Sequence, residues 1–134
     1  MTTHFILYVS DQTAARDFFV TVLGVAPRLD VPGMTEIALP GGGVLGLMPE
    51  AGIRRLLGDA LPDPASSRPP RAELYLVVDD VIGHHARALA GGAKELSPPA
   101  VRSWGHFAAY SLGPDGHVVA FASIVEPRTR PGAD

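Results

Sequence analysis

His4 and Glu73 head two nearly matching stretches, HFILYVSD at 4–11 and ELYLVVDD at 73–80. His4 lies seven positions before Asp11, and Glu73 lies seven positions before Asp80. An imidazole and a carboxylate at equivalent places in a repeat could ligate a divalent cation or act as a general acid and base. Two such groups fall short of the three protein ligands of a catalytic zinc, and of the two-histidine, one-carboxylate set of non-haem iron. A bland account also fits. His4 reads equally as a solvated residue near a terminus, and Glu73 as an exposed charge at a strand start.

Other chemistry-bearing residues offer less. His84 and His85 are adjacent in a helical stretch, so they point about 100° apart and make poor joint ligands. The GGG at 41–43 lacks the Lys-Ser/Thr ending and following helix of a phosphate loop. Ser10, Ser97 and Ser111 have no nucleophile-elbow context. There is no cysteine, which excludes disulfides, thiolate metal sites and cysteine nucleophiles.

The elements that must position His4 and Glu73 follow from the pattern. Residues 4–10 are apolar and rich in aromatic and branched side chains, which predicts a strand. Alternation then puts His4, Ile6 and Tyr8 on one face, and Phe5, Leu7 and Val9 on the other. Asp11 is placed to cap a helix in which Ala15, Phe18, Phe19, Val22 and Leu23 share an apolar face, with Gly24 at its C-cap. Three strand-like pieces follow, APRLDV, TEIALP and VLGLM, the last two joined by PGGG at 40–43.

The second half repeats this order. ELYLVVD is a strand with Glu73, Tyr75 and Val77 on one face and Leu74 and Leu76 on the other. Asp79 or Asp80 caps a helix expected to bury Ile82, Ala86, Leu89, Ala90 and Ala93. ELSPPAV, HFAAYSLG and HVVAFASI are strand candidates, and GPDG at 113–116 sits where PGGG sits in the first half. The expectation is α+β: two βαβββ modules, at about 4–48 and 73–125, in a single domain over 1–134. A Pro-rich linker at about 49–72, with one helical turn near Ile53 to Leu57, joins them, and a mobile tail spans 126–134. A ferredoxin-like βαββαβ unit is the rival, but it has too few strands. Each unit alone would leave an apolar sheet face open, so the repeat implies a packed pair.

Composition sets the class. The chain has 134 residues, 46% of them hydrophobic, which suits one folded domain rather than a disordered chain. Its formal charge of −3 gives no electrostatic footprint for nucleic acid. A mild negative charge would fit a cationic ligand, though it is also an ordinary solubility feature. MTTHFILYVSD lacks the basic and apolar regions of a signal peptide, and no apolar run approaches the roughly 20 residues of a membrane span. A soluble cytoplasmic protein is expected.

The repeat, the strand ending in Asp before the first helix, FFVTVLG, WGHFAAYSLGPDGHVVAF and the Pro-rich middle together resemble the vicinal oxygen chelate superfamily, over residues 4–125. This group includes glyoxalase I, extradiol dioxygenases and fosfomycin- and bleomycin-resistance proteins. The resemblance implies paired βαβββ modules forming an incomplete eight-stranded barrel, usually in a homodimer. It also implies metal ligands on the first and last strand of each module: at His4, about Gly46, Glu73 and Ala120. Gly46 and Ala120 offer no donor, and a register error does not help, because residues 44–47 and 118–122 are all apolar. By the same resemblance Tyr110, Ala108 and His106 face the cleft, with Trp104 near its mouth.

The expected site is therefore an aromatic cleft lined by His4, Tyr8, Glu73, Tyr75, Trp104, His106 and Tyr110, with no metal. The resemblance implies binding of an aromatic or cationic small molecule, as in bleomycin-resistance-type drug-binding proteins. The alternative is a glyoxalase-like lyase, isomerase or dioxygenase, with a divalent metal contacted by His4 and Glu73 or with Glu73 and His4 as base and acid. The rings also suit plain packing.

Overall fold

The computed structural model describes residues 2–60 and 72–125. The first module runs β1 (His4–Val9), α1 (Gln12–Leu23), β2 (Leu29–Val31), β3 (Met34–Ala38) and β4 (Val44–Pro49). A helix α2 (Glu50–Leu57) and a short 3-10 turn (Gly58–Ala60) follow. The second module runs β5 (Glu73–Val77), α3 (Val81–Ala90), β6 (Lys94–Val101), β7 (His106–Leu112) and β8 (Val118–Ile124). The paired βαβββ order is thus as the sequence predicts. Each module forms its own four-stranded mixed sheet, in the orders β1-β4-β3-β2 and β5-β8-β7-β6. The βαββαβ rival has no place for these two sheets. The helical turn expected in the linker is longer than foreseen, spanning Glu50–Leu57. The rest of the linker, 61–71, and the expected mobile tail, 126–134, lie outside the described residues. No helix among the described residues is long and apolar enough to cross a membrane.

The helices begin and end where local chemistry dictates. The Asp11 carboxylate accepts from the Ala14 N–H at 2.9 Å, satisfying a donor that the first turn of α1 leaves free. Gly24 closes α1 in the left-handed region at φ 69°, where a side chain would be strained. Asp80, rather than Asp79, caps α3 by accepting from Gly83 N–H. Ala15, Phe18, Phe19 and Val22 are buried as expected.

The buried face of α3 differs from the expectation. Val81, His85 and Ala88 point inward, while Ile82 is 63% exposed and Ala86 and Ala90 are also exposed. A histidine inside looks wrong by hydropathy. Here its Nε2 meets Glu95 Oε2 on β6 at 2.9 Å, which offsets part of the cost of burying the ring, while Nδ1 has no partner among the described residues. The partner lies on the next element, so helical periodicity alone could not reveal it.

The modules share one core. Leu7, Val9, Leu45 and Leu47 from the first sheet join Leu74, Leu76, Val119 and Phe121 from the second in a single cluster with α1 and α3. Phe18 sits at the seam. A Cβ built at Gly91 would lie 3.3 Å from its Cδ1, so this glycine at the end of α3 leaves the room the ring takes. A polar clasp reinforces the seam. The Ser10 N–H donates to both oxygens of Asp115, at 3.2 and 3.0 Å, and its hydroxyl donates to Oδ1 at 2.7 Å.

Phe18→Ala removes a buried ring that both modules touch, and should cost about 3–5 kcal/mol of unfolding free energy. Ser10→Ala removes only an exposed hydrogen bond and should cost about 1 kcal/mol. Urea unfolding of the two variants checks this ordering.

Candidate functional site

The second sheet carries most of the expected site residues on the face away from α3. Alternation turns Leu74 and Leu76 into the core, at 8% and 6% exposure, and leaves Glu73, Tyr75 and Val77 on the opposite face. Across the ladder, Tyr75 pairs with Ala120, and Ala120 pairs with Tyr110. The alanine between two tyrosines has no side-chain bulk to push them apart, and it is fully buried. The next row on the same face, Val77, Ala122 and Ala108, again has small residues in its middle.

Three side chains here form a continuous chain of hydrogen bonds. Trp104 Nε1–H donates to the Tyr75 hydroxyl at 3.1 Å. That hydroxyl lies 2.7 Å from His106 Nδ1, and the two rings stack with centroids 5.8 Å apart. Trp104 reaches Tyr75 because a tight turn at 102–105 folds it back. His106 C=O accepts from the Arg102 N–H at 2.7 Å, Arg102 C=O accepts from the Gly105 N–H at 3.1 Å, and Gly105 takes φ 90°. The neighbouring Tyr110 hydroxyl ionises above the ordinary phenol range. Burial is the main cause, followed by the nearby negative charge of Glu73 and then Tyr75, while Arg102 opposes them. Glu73, Tyr75, Trp104, His106 and Tyr110 thus belong to one surface.

His4 and Tyr8 lie on the first sheet, facing away from the core residues Leu7 and Val9. Among the described residues no hydrogen bond, ion pair or ring contact joins either of them to the five residues of the second sheet. The carboxylate nearest His4 is Glu36 on β3, whose Oε2 is 3.5 Å from Nδ1. Glu36 also accepts from Arg28 Nε at 3.0 Å. Pattern reading passed over Glu36 because it sits on a middle strand with no counterpart in the repeat. Its register is the signal that could have found it, since it lies directly opposite Gly46.

The donor positions implied by the resemblance do not assemble into a metal-binding group among the described residues. Among the described residues no three His, Cys, Asp or Glu side chains come together in a group that could hold a metal ion. At Gly46 the space is also taken. A Cβ there would sit 3.0 Å from Ile6 Cγ1 and 3.3 Å from Met34 Sδ, so a ligand side chain would have to displace both. Ala120 is hemmed in by Tyr75 and Tyr110 in register.

The remaining histidines have other roles. His84 Nδ1 meets the Asp80 carbonyl at 2.8 Å and its ring leans on Phe121. His85 is in the core. His117 lines a small cavity of about 90 Å³ with Ser10, Ala14, Phe18 and Pro114 at the module seam. Arg102, which sequence reasoning missed, lies over the Tyr110 ring, 5.2 Å from its centroid. A residue in a turn shows no periodicity by which to place it.

The family model for the Glyoxalase/Bleomycin resistance protein/Dioxygenase superfamily matches residues 2–121. No curated protein matches. Among solved structures, a glyoxalase-related enzyme from Fulvimarina pelagi is 25% identical, with 92% of this chain and 87% of that one covered and a TM-score of 0.78. A glyoxalase/bleomycin resistance protein/dioxygenase from Nocardioides is 24% identical, covering 98% and 87% of the two chains, with a TM-score of 0.72. A family enzyme from Burkholderia phytofirmans PsJN is 18% identical over 92% and 98% of the chains, with a TM-score of 0.79. The last two likenesses speak for the fold alone.

The raised Tyr110 ionisation has a testable sign. Removing the Glu73 charge favours the phenolate, so Glu73→Gln should lower the pH at which the last tyrosine ionises, and Tyr110→Phe should abolish that last step. Because the folded state holds this proton more tightly than the unfolded chain, Tyr110 stabilises the fold below about pH 10, and the contribution fades as pH rises through the raised value. Ultraviolet tyrosinate titration of the three proteins reads the first effect directly.

Proposed function

The chain belongs to the glyoxalase/bleomycin resistance protein/dioxygenase superfamily, and within it we propose a small-molecule-binding protein that needs no metal. The proposed site is the outward face of the second sheet, built on Tyr75, Trp104, His106 and Tyr110 with Glu73 at its edge. His4 and Tyr8 are its proposed counterparts on the first sheet. The observation that carries the reading is the Trp104–Tyr75–His106 hydrogen-bond chain. Rings merely packing a surface have no need of linked polar tips. A site that orients a ligand does, because buried ligand polar groups must find partners.

The alternative, a glyoxalase-like lyase or isomerase, is supported by the same short Tyr75–His106 contact. A phenol and an imidazole 2.7 Å apart can pass a proton between them, which is the equipment of acid–base catalysis. Turnover that survives removal of metal and is lost in both Tyr75→Phe and His106→Gln would favour it over binding alone.

The chain has one tryptophan, so its fluorescence reports on the proposed site. In a screen of aromatic small molecules, a ligand of this site should quench Trp104. Replacing Trp104 or Tyr110 with Ala should weaken that ligand, measured by calorimetry, by about 1–3 kcal/mol. Added zinc or a chelator should leave its affinity unchanged. A ligand whose affinity follows added metal would contradict the metal-free reading.

A homodimer is part of the proposal. β1 and β5 end their sheets, and Ile6, Tyr8, Val77 and Trp104 are each more than 40% exposed apolar or aromatic side chains. Open strand edges beside apolar surface favour pairing. Light scattering should give twice the 14.1 kDa chain mass, and a monomer mass at all concentrations would count against it.

A further inference from the structure

We infer that the proposed site takes ligands bearing an anionic head, a carboxylate above all, and that Arg102 is the residue that selects it. The inference rests on the reading of the second sheet's outward face as a binding site, and it adds the charge class of the ligand.

The guanidinium is held but not neutralised. Arg102 Nε and Nη2 donate to the Ala108 carbonyl at 3.1 and 2.7 Å, and Nη2 also donates to the Pro98 carbonyl at 2.8 Å. Tyr110 supports the guanidinium with its ring. Among the described residues Arg102 makes no ion pair, whereas Arg16 and Arg28 each reach a carboxylate. Nη1 makes no hydrogen bond among the described residues, so both of its N–H groups are uncommitted. Carbonyl oxygens fix an arginine in place without cancelling its charge. The result is a partly exposed cation, already ordered, at one corner of an aromatic surface.

Three consequences favour a carboxylate as the guest. Nη1 keeps its N–H groups free on a permanent positive charge, enough for a charge-assisted bond to a carboxylate oxygen. Because two carbonyls and a ring already restrain the side chain, little rotamer freedom is lost on binding. Arg102 lies over Tyr110, which faces Tyr75 across Ala120 in the ladder, so an anion at Arg102 would sit beside an aromatic row. The chain's net charge of −3 favours a cation on average, but a local unpaired guanidinium acts at closer range than charges screened beyond about 10 Å. Glu73, whose charge reaches the same Tyr110 hydroxyl as Arg102, should oppose the anion, which gives the test a second handle.

The experiment compares matched acids and amides by calorimetry: benzoate with benzamide, phenylacetate with phenylacetamide, and cinnamate with cinnamamide. At low ionic strength at least one acid should bind roughly 10-fold or more tighter than its amide, and added sodium chloride should shrink that ratio. Arg102→Met should bring the ratio close to one, with the acid losing more affinity than its amide. Arg102→Lys should keep part of it, and Glu73→Gln should raise it. If Arg102→Met fails to fold, the wild-type ratio, its salt dependence and the Glu73→Gln result still decide. Amides that bind as well as their acids would overturn the anion preference and leave the aromatic site standing. If no member of any pair binds, both the site and the inference fall. An acid preference that survives in folded Arg102→Met would place the anion contact elsewhere and remove Arg102 from the role.

Discussion

Each sheet of this protein has two faces and one helix to cover them. That imbalance governs the rest. α1 and α3 take the sides bearing Leu7, Val9, Leu74 and Leu76, and they also pack on one another, so both modules spend their helices on a single shared core. That leaves neither α1 nor α3 to cover the opposite faces. Those faces must be polar, be joined to something, or be used. On the second sheet small residues run along the middle strand and aromatic groups with polar tips stand over its neighbours, an arrangement suited to use.

Gly46 and Ala120 put small residues at matching places of the repeated scaffold. Each is on the strand beside its module's first strand, and each is flanked in register by larger residues: Ile6 and Glu36 in one case, Tyr75 and Tyr110 in the other. A small residue at a central position does more than offer no donor group. It frees volume, and the neighbours take it. On the first sheet that volume goes to Ile6 and Met34. On the second, Ala120 lies fully buried between Tyr75 and Tyr110 in register.

The fold was legible because its signals are local. Strand alternation, the caps at Asp11 and Asp80, and the glycines at 24 and 116 each act over a few residues, and the repeat states them twice. The linked triad was half legible. Parity placed Tyr75, and family resemblance placed Trp104, His106 and Tyr110, but their mutual hydrogen bonds could not be read from spacing. Where reading failed, the cause was a partner distant in sequence. His85 looks out of place on a buried helical face until Glu95 is seen beside it. Glu36 and Arg102 belong to a middle strand and a turn, where neither repetition nor periodicity singles out a residue. A sequence read for pattern finds elements that recur and misses side chains defined by a single neighbour.

The Trp104–Tyr75–His106 chain has a direction that one of its members fixes and another leaves open. The indole can only donate, so the Tyr75 oxygen always receives from that side. Its own hydrogen can then go to His106 Nδ1, which puts the imidazole proton on Nε2. Or His106 can donate from Nδ1, which leaves Nε2 a bare acceptor and turns the phenol hydrogen elsewhere. The heavy atoms need not move between these two tautomers. One rigid surface can therefore present either a donor or an acceptor at the far side of the same ring, and the partner it meets decides which.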